Sequence, residues 1–414
     1  MVRPAVLPPR QRAGVLGKPG QQPGRQYRQW VLQADTPFLI FASSIAHPRP
    51  YGKAKKHLYH LENGAVYDIV EAERQVTGMA KRIGSVDILK ALGIFSVILY
   101  HTEALPTVVN GWIGSYFMPL FFFASGLTFS AKQPKFGAFL KKKCVYLLLP
   151  YLLYLVCCAA VGVAKQVIKG VAFPVKSFLL GAVSGLPNMN EYTGRAWFIY
   201  CFFVAEILFY FLLKWTKGKR TPLFLAALIS LLAGYAYAQF FRDSAAMFWR
   251  YTDGMVAVFF MAVGYLLRES VLKLKAPGLL FIVPSVGFGL LNLHINGHGL
   301  VMAYSYYGEL VPMVVSALSG CLFFAALSNC LQSRYLEYLG RNTLFIYLFH
   351  FFLWAYPLPR LLGKVMTVGT TAYNWLYALL FFAEVLVIFS LLIPVYNRIM
   401  QPLQRRLLGK KNEK

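Results

Sequence analysis

Blocks of about twenty apolar residues recur along this chain, and they constrain its fold more than any other feature. An α-helix needs roughly that many residues to cross a hydrocarbon layer ~30 Å thick. Inside such a layer only helices and closed barrels satisfy their own backbone groups. The blocks fall near 86–104, 113–131, 145–164, 196–215, 222–240, 253–268, 278–295, 310–331, 343–358 and 373–396. A further stretch, Phe178–Val183, is short enough to be re-entrant or interfacial. With 57% hydrophobic and 14% charged residues, the chain is too apolar for a soluble protein of 414 residues. The predicted fold is therefore all-α, a polytopic transmembrane helical bundle of about ten spans.

Three segments differ in composition. Residues 1–78 carry Pro8-Pro9, Pro19-Gly20 and Pro23-Gly24, with one short apolar run at Pro37–Ala46 and no sustained amphipathic period. They lack the charged start, apolar core and small-residue cleavage site of a secretory signal. They read either as an unfolded tail or as a start placed upstream of Met79, which directly precedes the first span. Residues 79–400 form the transmembrane domain, and 401–414 a basic tail.

The net charge of +26 raises the question of nucleic-acid binding. Its distribution argues against this, because the basic residues sit between apolar blocks, as in the cytoplasmic loops of polytopic proteins. One set of connections holds five lysines at Lys132–Lys143, four basic residues at Lys214–Arg220, three at Arg268–Lys275, two at Arg334–Arg341 and six from Arg398 onward. The alternate set holds eight basic residues against these twenty, four of them across 165–195. Both termini are thereby expected in the cytoplasm. The six cysteines all lie in or beside apolar blocks, without zinc-site spacing.

The first span carries Asp87, Lys90, His101 and Glu103. Charges persist in a membrane segment mainly where they face a protein-lined or wet interior. The eleven steps from Lys90 to His101 make almost three turns, so the two share a face with backbones roughly 16 Å apart. Asp87 lies within about 40° of that stripe. An imidazole suits removal of a proton from a hydroxyl near neutral pH, and Glu103 or Asp87 could orient it. A histidine merely hydrogen-bonded in a bundle core fits composition equally well.

Other polar residues are less specific. His350 reads as a packed core residue, and Glu206 and Glu384 as partners for cations or as neutral acids. Trp112, Tyr116, Trp249 and Tyr251 suit interfacial anchoring. The cluster Tyr304, Tyr306, Tyr307 and Glu309 could also line an outward sugar site. No phosphate-binding glycine loop, nucleophile elbow or paired-histidine metal motif occurs in the sequence. Nor do broken spans recur in matching halves, as inverted-repeat transporters often show.

Several strings occur in order. Lys90 is followed by ten residues and His101; Phe117-Met-Pro-Leu-Phe-Phe-Phe-Ala-Ser-Gly126 follows, then a basic run ending in Leu-Pro150-Tyr151. Ala196-Trp-Phe-Ile, Phe259-Phe-Met-Ala-Val-Gly264-Tyr and Tyr338-Leu-Gly340-Arg-Asn-Thr-Leu-Phe-Ile-Tyr-Leu-Phe-His350 complete the set. Across Arg82–Arg398 the chain resembles the acyltransferase-3 family of integral membrane O-acyltransferases, and most of all the branch related to fucose 4-O-acetylases.

The resemblance implies acetyl-CoA as a cytoplasmic co-substrate and a hydroxyl of a cell-envelope glycan, or its lipid-linked precursor, as acceptor. It implies no metal and a bacterial plasma membrane location. His101 would be the essential histidine and Lys90 its paired cation. Where the family often has two arginines three apart, this chain has Lys143 and Tyr146, which leaves Lys141, Lys142 and Lys143 as candidates for the CoA phosphates. Lysine binds phosphate as a point charge, without arginine's fork. Acceptor contacts would fall to Tyr304, Tyr306, Tyr307, Glu309 and Trp197. The rival readings are a glycan transporter or flippase, and the same fold using succinyl-CoA.

Overall fold

In the computed structural model, residues 83–409 are described apart from 103, 187–192, 242–247, 298–299 and 356. The proposed tail 1–78 lies outside the described residues, as do Glu103 and the last five residues. The described chain is helical and belongs to one compact unit.

The helices are α1 Gly84–His101, α2 Thr107–Thr128, α3 Phe136–Lys143, α4 Leu149–Ile168, α5 Val175–Ser184, α6 Trp197–Trp215, α7 Arg220–Phe241 and α8 Tyr251–Leu266. They continue with α9 Arg268–Lys273, α10 Ile282–Asn296, α11 Leu310–Cys330, α12 Arg334–Arg341, α13 Thr343–Phe349, α14 Pro357–Val365 and α15 Thr371–Leu407. A π-helical stretch, Cys144–Leu148, joins α3 to α4, so the two run on as one long element. Among the described residues eight elements are long and apolar enough to cross a membrane, and α5, α8 and the Thr343–Phe352 segment are apolar but shorter. The eight longer elements coincide with eight of the ten blocks, and the blocks near 253–268 and 343–358 fall on two of the shorter helices. The predicted short piece at 178–183 falls within α5.

Two helix starts and two helix ends have a local cause. Ser333 accepts the amide of Leu336 at 3.2 Å and begins α12, and Thr370 does the same for Tyr373 at 3.3 Å at the start of α15. Gly185 and Gly297, both with positive φ, end α5 and α10. Where the family-like strings lie, glycines bring backbones into contact. A Cβ on Gly126 would meet the carbonyl of Met261, and one on Gly264 the carbonyl of Phe123, so α2 and α8 cross at close range. Gly340 likewise lets α12 lie against the carbonyl of Asp87 on α1.

Helices α1, α2, α6 and α8 are among the most buried. Val86, Leu89, Ala91, Ile94, Val97 and Ile98 of α1 are buried, as are Leu120, Phe122 and Phe123 of α2 and Val256 to Ala262 of α8. By contrast α7, α10 and α15 expose Ile229, Val283, Leu391 and similar side chains, as lipid-facing helices do.

Contacts also tie the strongly basic connections together at one end. Tyr210 donates to Pro134 O at 2.9 Å and Arg220 to Leu266 O at 3.0 Å. Asn329 donates to Val271 O and Leu274 O, Asn397 to Asn342, and Gln404 to Val145 O. The connections that carry the larger share of basic residues therefore lie at the same end of the helices.

Candidate active site

Helix α1 carries charge at both ends. At its start Asp87 is buried and receives two cations: Lys90 Nζ at 3.3 Å and Arg341 Nε at 3.3 Å, while Arg341 also reaches Glu337 at 2.6 Å. Gly340 makes this possible, since only close contact of α12 with α1 puts Arg341 beside Asp87. Lys90 is thus joined to Asp87, as the spacing of three residues allows.

His101 lies at the other end of the helix, beyond Ile94 and Val97, which are fully buried on the face between them. The structure therefore brings Lys90 to Asp87 and does not bring it to His101. Val97 O lies 2.8 Å from His101 Nδ1, and a carbonyl can only accept. Nδ1 must then hold the proton, which leaves the Nε2 lone pair as the basic atom.

A second imidazole stands beside the first. The His350 ring is 5.4 Å from that of His101, centroid to centroid, and is fully buried. His350 directly follows α13 and opens the tighter helical turn His350–Ala355. Its Nδ1–H is directed at Tyr347 O (2.8 Å) and Ile346 O (3.1 Å), so Nε2 is again the lone-pair nitrogen. That Nε2 is buried without a hydrogen-bond partner among the described residues.

Phe351 links the pair to a cation. Its ring lies 4.9 Å from His101 and 4.0 Å from His350, and the Arg195 guanidinium sits 4.7 Å over its face. The short helical turn Gly194–Ala196 holds Arg195 in place, and Tyr347 donates to Arg195 O at 2.7 Å. Trp197, half-buried, opens α6 two residues later. The wall is completed by Tyr100, edge-on to His101 at 5.6 Å and stacked on Phe117 at 4.8 Å.

The remaining candidates lie in two further clusters. Lys143 reaches inward to the buried Glu206 at 2.6 Å, between the faces of Phe129 and Phe139, and Ser125 donates to the same carboxylate at 2.7 Å. Lys141 and Lys142 are exposed. In the loop before α11, Tyr307 is fully buried and gives its hydroxyl to Asp253, whereas Tyr304, Tyr306 and Glu309 are exposed. Arg250 pairs with Asp253 at 2.6 Å and also donates to Met302 O and Ser305, which holds this loop on α8. No cluster of His, Cys, Asp or Glu that could hold a metal ion occurs among the described residues.

Sequence reasoning missed two members of the histidine site. Arg195 counted only as a loop charge, although its position one residue before Ala196-Trp-Phe-Ile was a signal. His350 closes the last family-like string, but its nearness to His101 is a tertiary fact that spacing alone does not carry.

Helices of membrane length, with two imidazoles and a guanidinium set among them, fit an integral membrane protein. The chain matches the acyltransferase domain of the acyltransferase-3 family over residues 83–393, about three quarters of its length, and belongs to that family. It is a membrane acyltransferase. No curated protein and no solved structure matches it.

Proposed function

We propose that this protein moves an acetyl group from cytoplasmic acetyl-CoA to a hydroxyl of a cell-envelope glycan or its lipid-linked precursor, as a multi-pass protein of a bacterial plasma membrane with both termini inside. The observation that carries the reading is His101: a helix-anchored imidazole with Nδ1–H fixed on Val97 O, next to a guanidinium, within a bundle of the acyltransferase family.

His101 Nε2 takes the proton of the acceptor hydroxyl as its oxygen attacks the thioester carbonyl. Arg195 faces the oxygen on which negative charge gathers, a role that a guanidinium fills in a water-poor site. When the carbon–sulfur bond breaks, the imidazolium returns the proton to the CoA sulfur. The products are the O-acetyl ester and CoA.

Two basic groups near the inner side could meet the CoA phosphates. Lys141 and Lys142 are exposed, and Arg341 and Lys90 are partly exposed while bound to Asp87. Lys143 is already engaged by Glu206, so its contribution to donor binding is secondary.

Mass spectrometry of envelope glycans from cells with and without the gene tests this. The expected result is loss of an acetyl group from one glycan on deletion, with export of that glycan unchanged. Loss of a succinyl group would move the donor to succinyl-CoA. Loss of the glycan itself from the surface, with no acyl change, would favour a transporter.

A further inference from the structure

The fully buried His350 invites an energetic question. A buried polar atom without a partner costs stability, and an apolar side chain of similar shape would avoid the cost. His350 Nε2 is such an atom. The other ring nitrogen, Nδ1, contacts only carbonyls of its own helical turn, at Ile346 and Tyr347. Among the described residues no protein group is hydrogen-bonded to Nε2. The unpaired atom is a lone-pair acceptor, because Nδ1 carries the proton. It therefore calls for a donor that arrives from outside the fold, and it does so with its ring 5.4 Å from that of His101 and 4.0 Å from that of Phe351.

Resting on the acyltransferase reading above, we infer that His350 binds the acceptor: its Nε2 receives a hydrogen bond from a second hydroxyl, on the carbon next to the one whose hydroxyl loses its proton to His101. The phosphates and the thioester carbonyl of CoA only accept, so within CoA a partner for this nitrogen would have to be an N–H or O–H of the pantetheine arm, a contact that leaves the position of the acyl group on the acceptor unconstrained. A hydroxyl donates. One imidazole cannot be both base to a hydroxyl and anchor for its neighbour, so two adjacent imidazoles fit a vicinal diol of the kind that sugars carry. The cost of the unpaired nitrogen falls on the empty protein and is relieved when the acceptor arrives.

The test compares His350→Leu, His350→Gln and His101→Ala with the parent in the same cells, at matched protein level. Three readouts are followed: thermal stability in detergent, acyl content of the envelope glycan, and the position of the acyl group by NMR of the released glycan. His350→Leu is expected to be at least as stable as the parent, with acylation lowered about tenfold or more. His350→Gln, whose amide oxygen can accept at nearly the same place, is expected to keep more acylation than Leu. The parent's acyl group is expected on a carbon whose neighbour bears a free hydroxyl. Should His350→Leu fail to accumulate, His350→Phe serves as the apolar replacement.

The inference is overturned if the apolar variant acylates within about twofold of the parent, if Gln and Leu are equally impaired, or if the acylated carbon has no neighbouring hydroxyl. If His101→Ala changes no acyl group on any glycan, the enzyme reading itself fails, which is a separate result.

Discussion

At the scale of single residues, the two ends of α1 do different work. Asp87, Lys90 and Arg341 form an ion cluster that fixes α12 on α1, while His101 is anchored through Nδ1 and holds the Nε2 that we propose as the base. Removing a general base typically costs about 10²–10⁴ in rate. His101→Ala is thus expected to lower acylation by at least about a hundredfold at unchanged protein level, measured by acyl content per glycan. Arg195→Lys is expected to lose much of what Arg195→Ala loses, because an ammonium neither stacks on Phe351 nor spreads its charge in a plane. Equal activity of Arg195→Lys and the parent would remove the guanidinium from the mechanism.

Lys143 provides a sharper division between two roles. Glu206 is 2% exposed and depends on Lys143 and Ser125 for its partners. Stripping one member from a buried ion pair costs about 3–5 kcal/mol. Lys143→Ala is therefore expected to lower thermal stability clearly, and Lys143→Ala with Glu206→Ala to recover part of it. A variant of normal stability with weakened acetyl-CoA binding would instead make Lys143 a phosphate ligand.

At the scale of helices, the family-like strings turn out to be mostly about contact distance. Gly126, Gly264 and Gly340 sit where α2 meets α8 and α12 meets α1. Gly264→Leu is expected to abolish folded protein, since its side chain would push against the Phe123 backbone rather than a movable side chain. Fluorescence-detected gel filtration would show it, and a normal monodisperse peak would contradict the packing. The same scale explains what the sequence made readable. Hydrophobic block length located the eight helices of membrane length, and helical period placed Lys90 and His101 on one face. Neither period nor block length says that Ile94 and Val97 fill the space between them, or that a seven-residue α13 stops with His350 beside His101. Those are facts of side-chain packing between segments far apart in the chain. Arg195 was hidden for a related reason: its role depends on Phe351, more than a hundred residues later.

For the whole molecule, twenty basic residues in one set of connections against eight in the other predict the orientation. Contacts among those connections gather them at one end of the helices. Cysteines placed singly in the 132–135 and 366–369 loops should react with an impermeant thiol reagent from opposite sides of the membrane. The central claim, however, is that acyl transfer happens at His101. The most direct measurement is the acyl content of envelope glycans, by mass spectrometry, from cells making either the parent protein or His101→Ala in equal amounts. The account predicts that one acylated glycan disappears in the variant while its unacylated form persists at the surface. An unchanged acyl profile would contradict it.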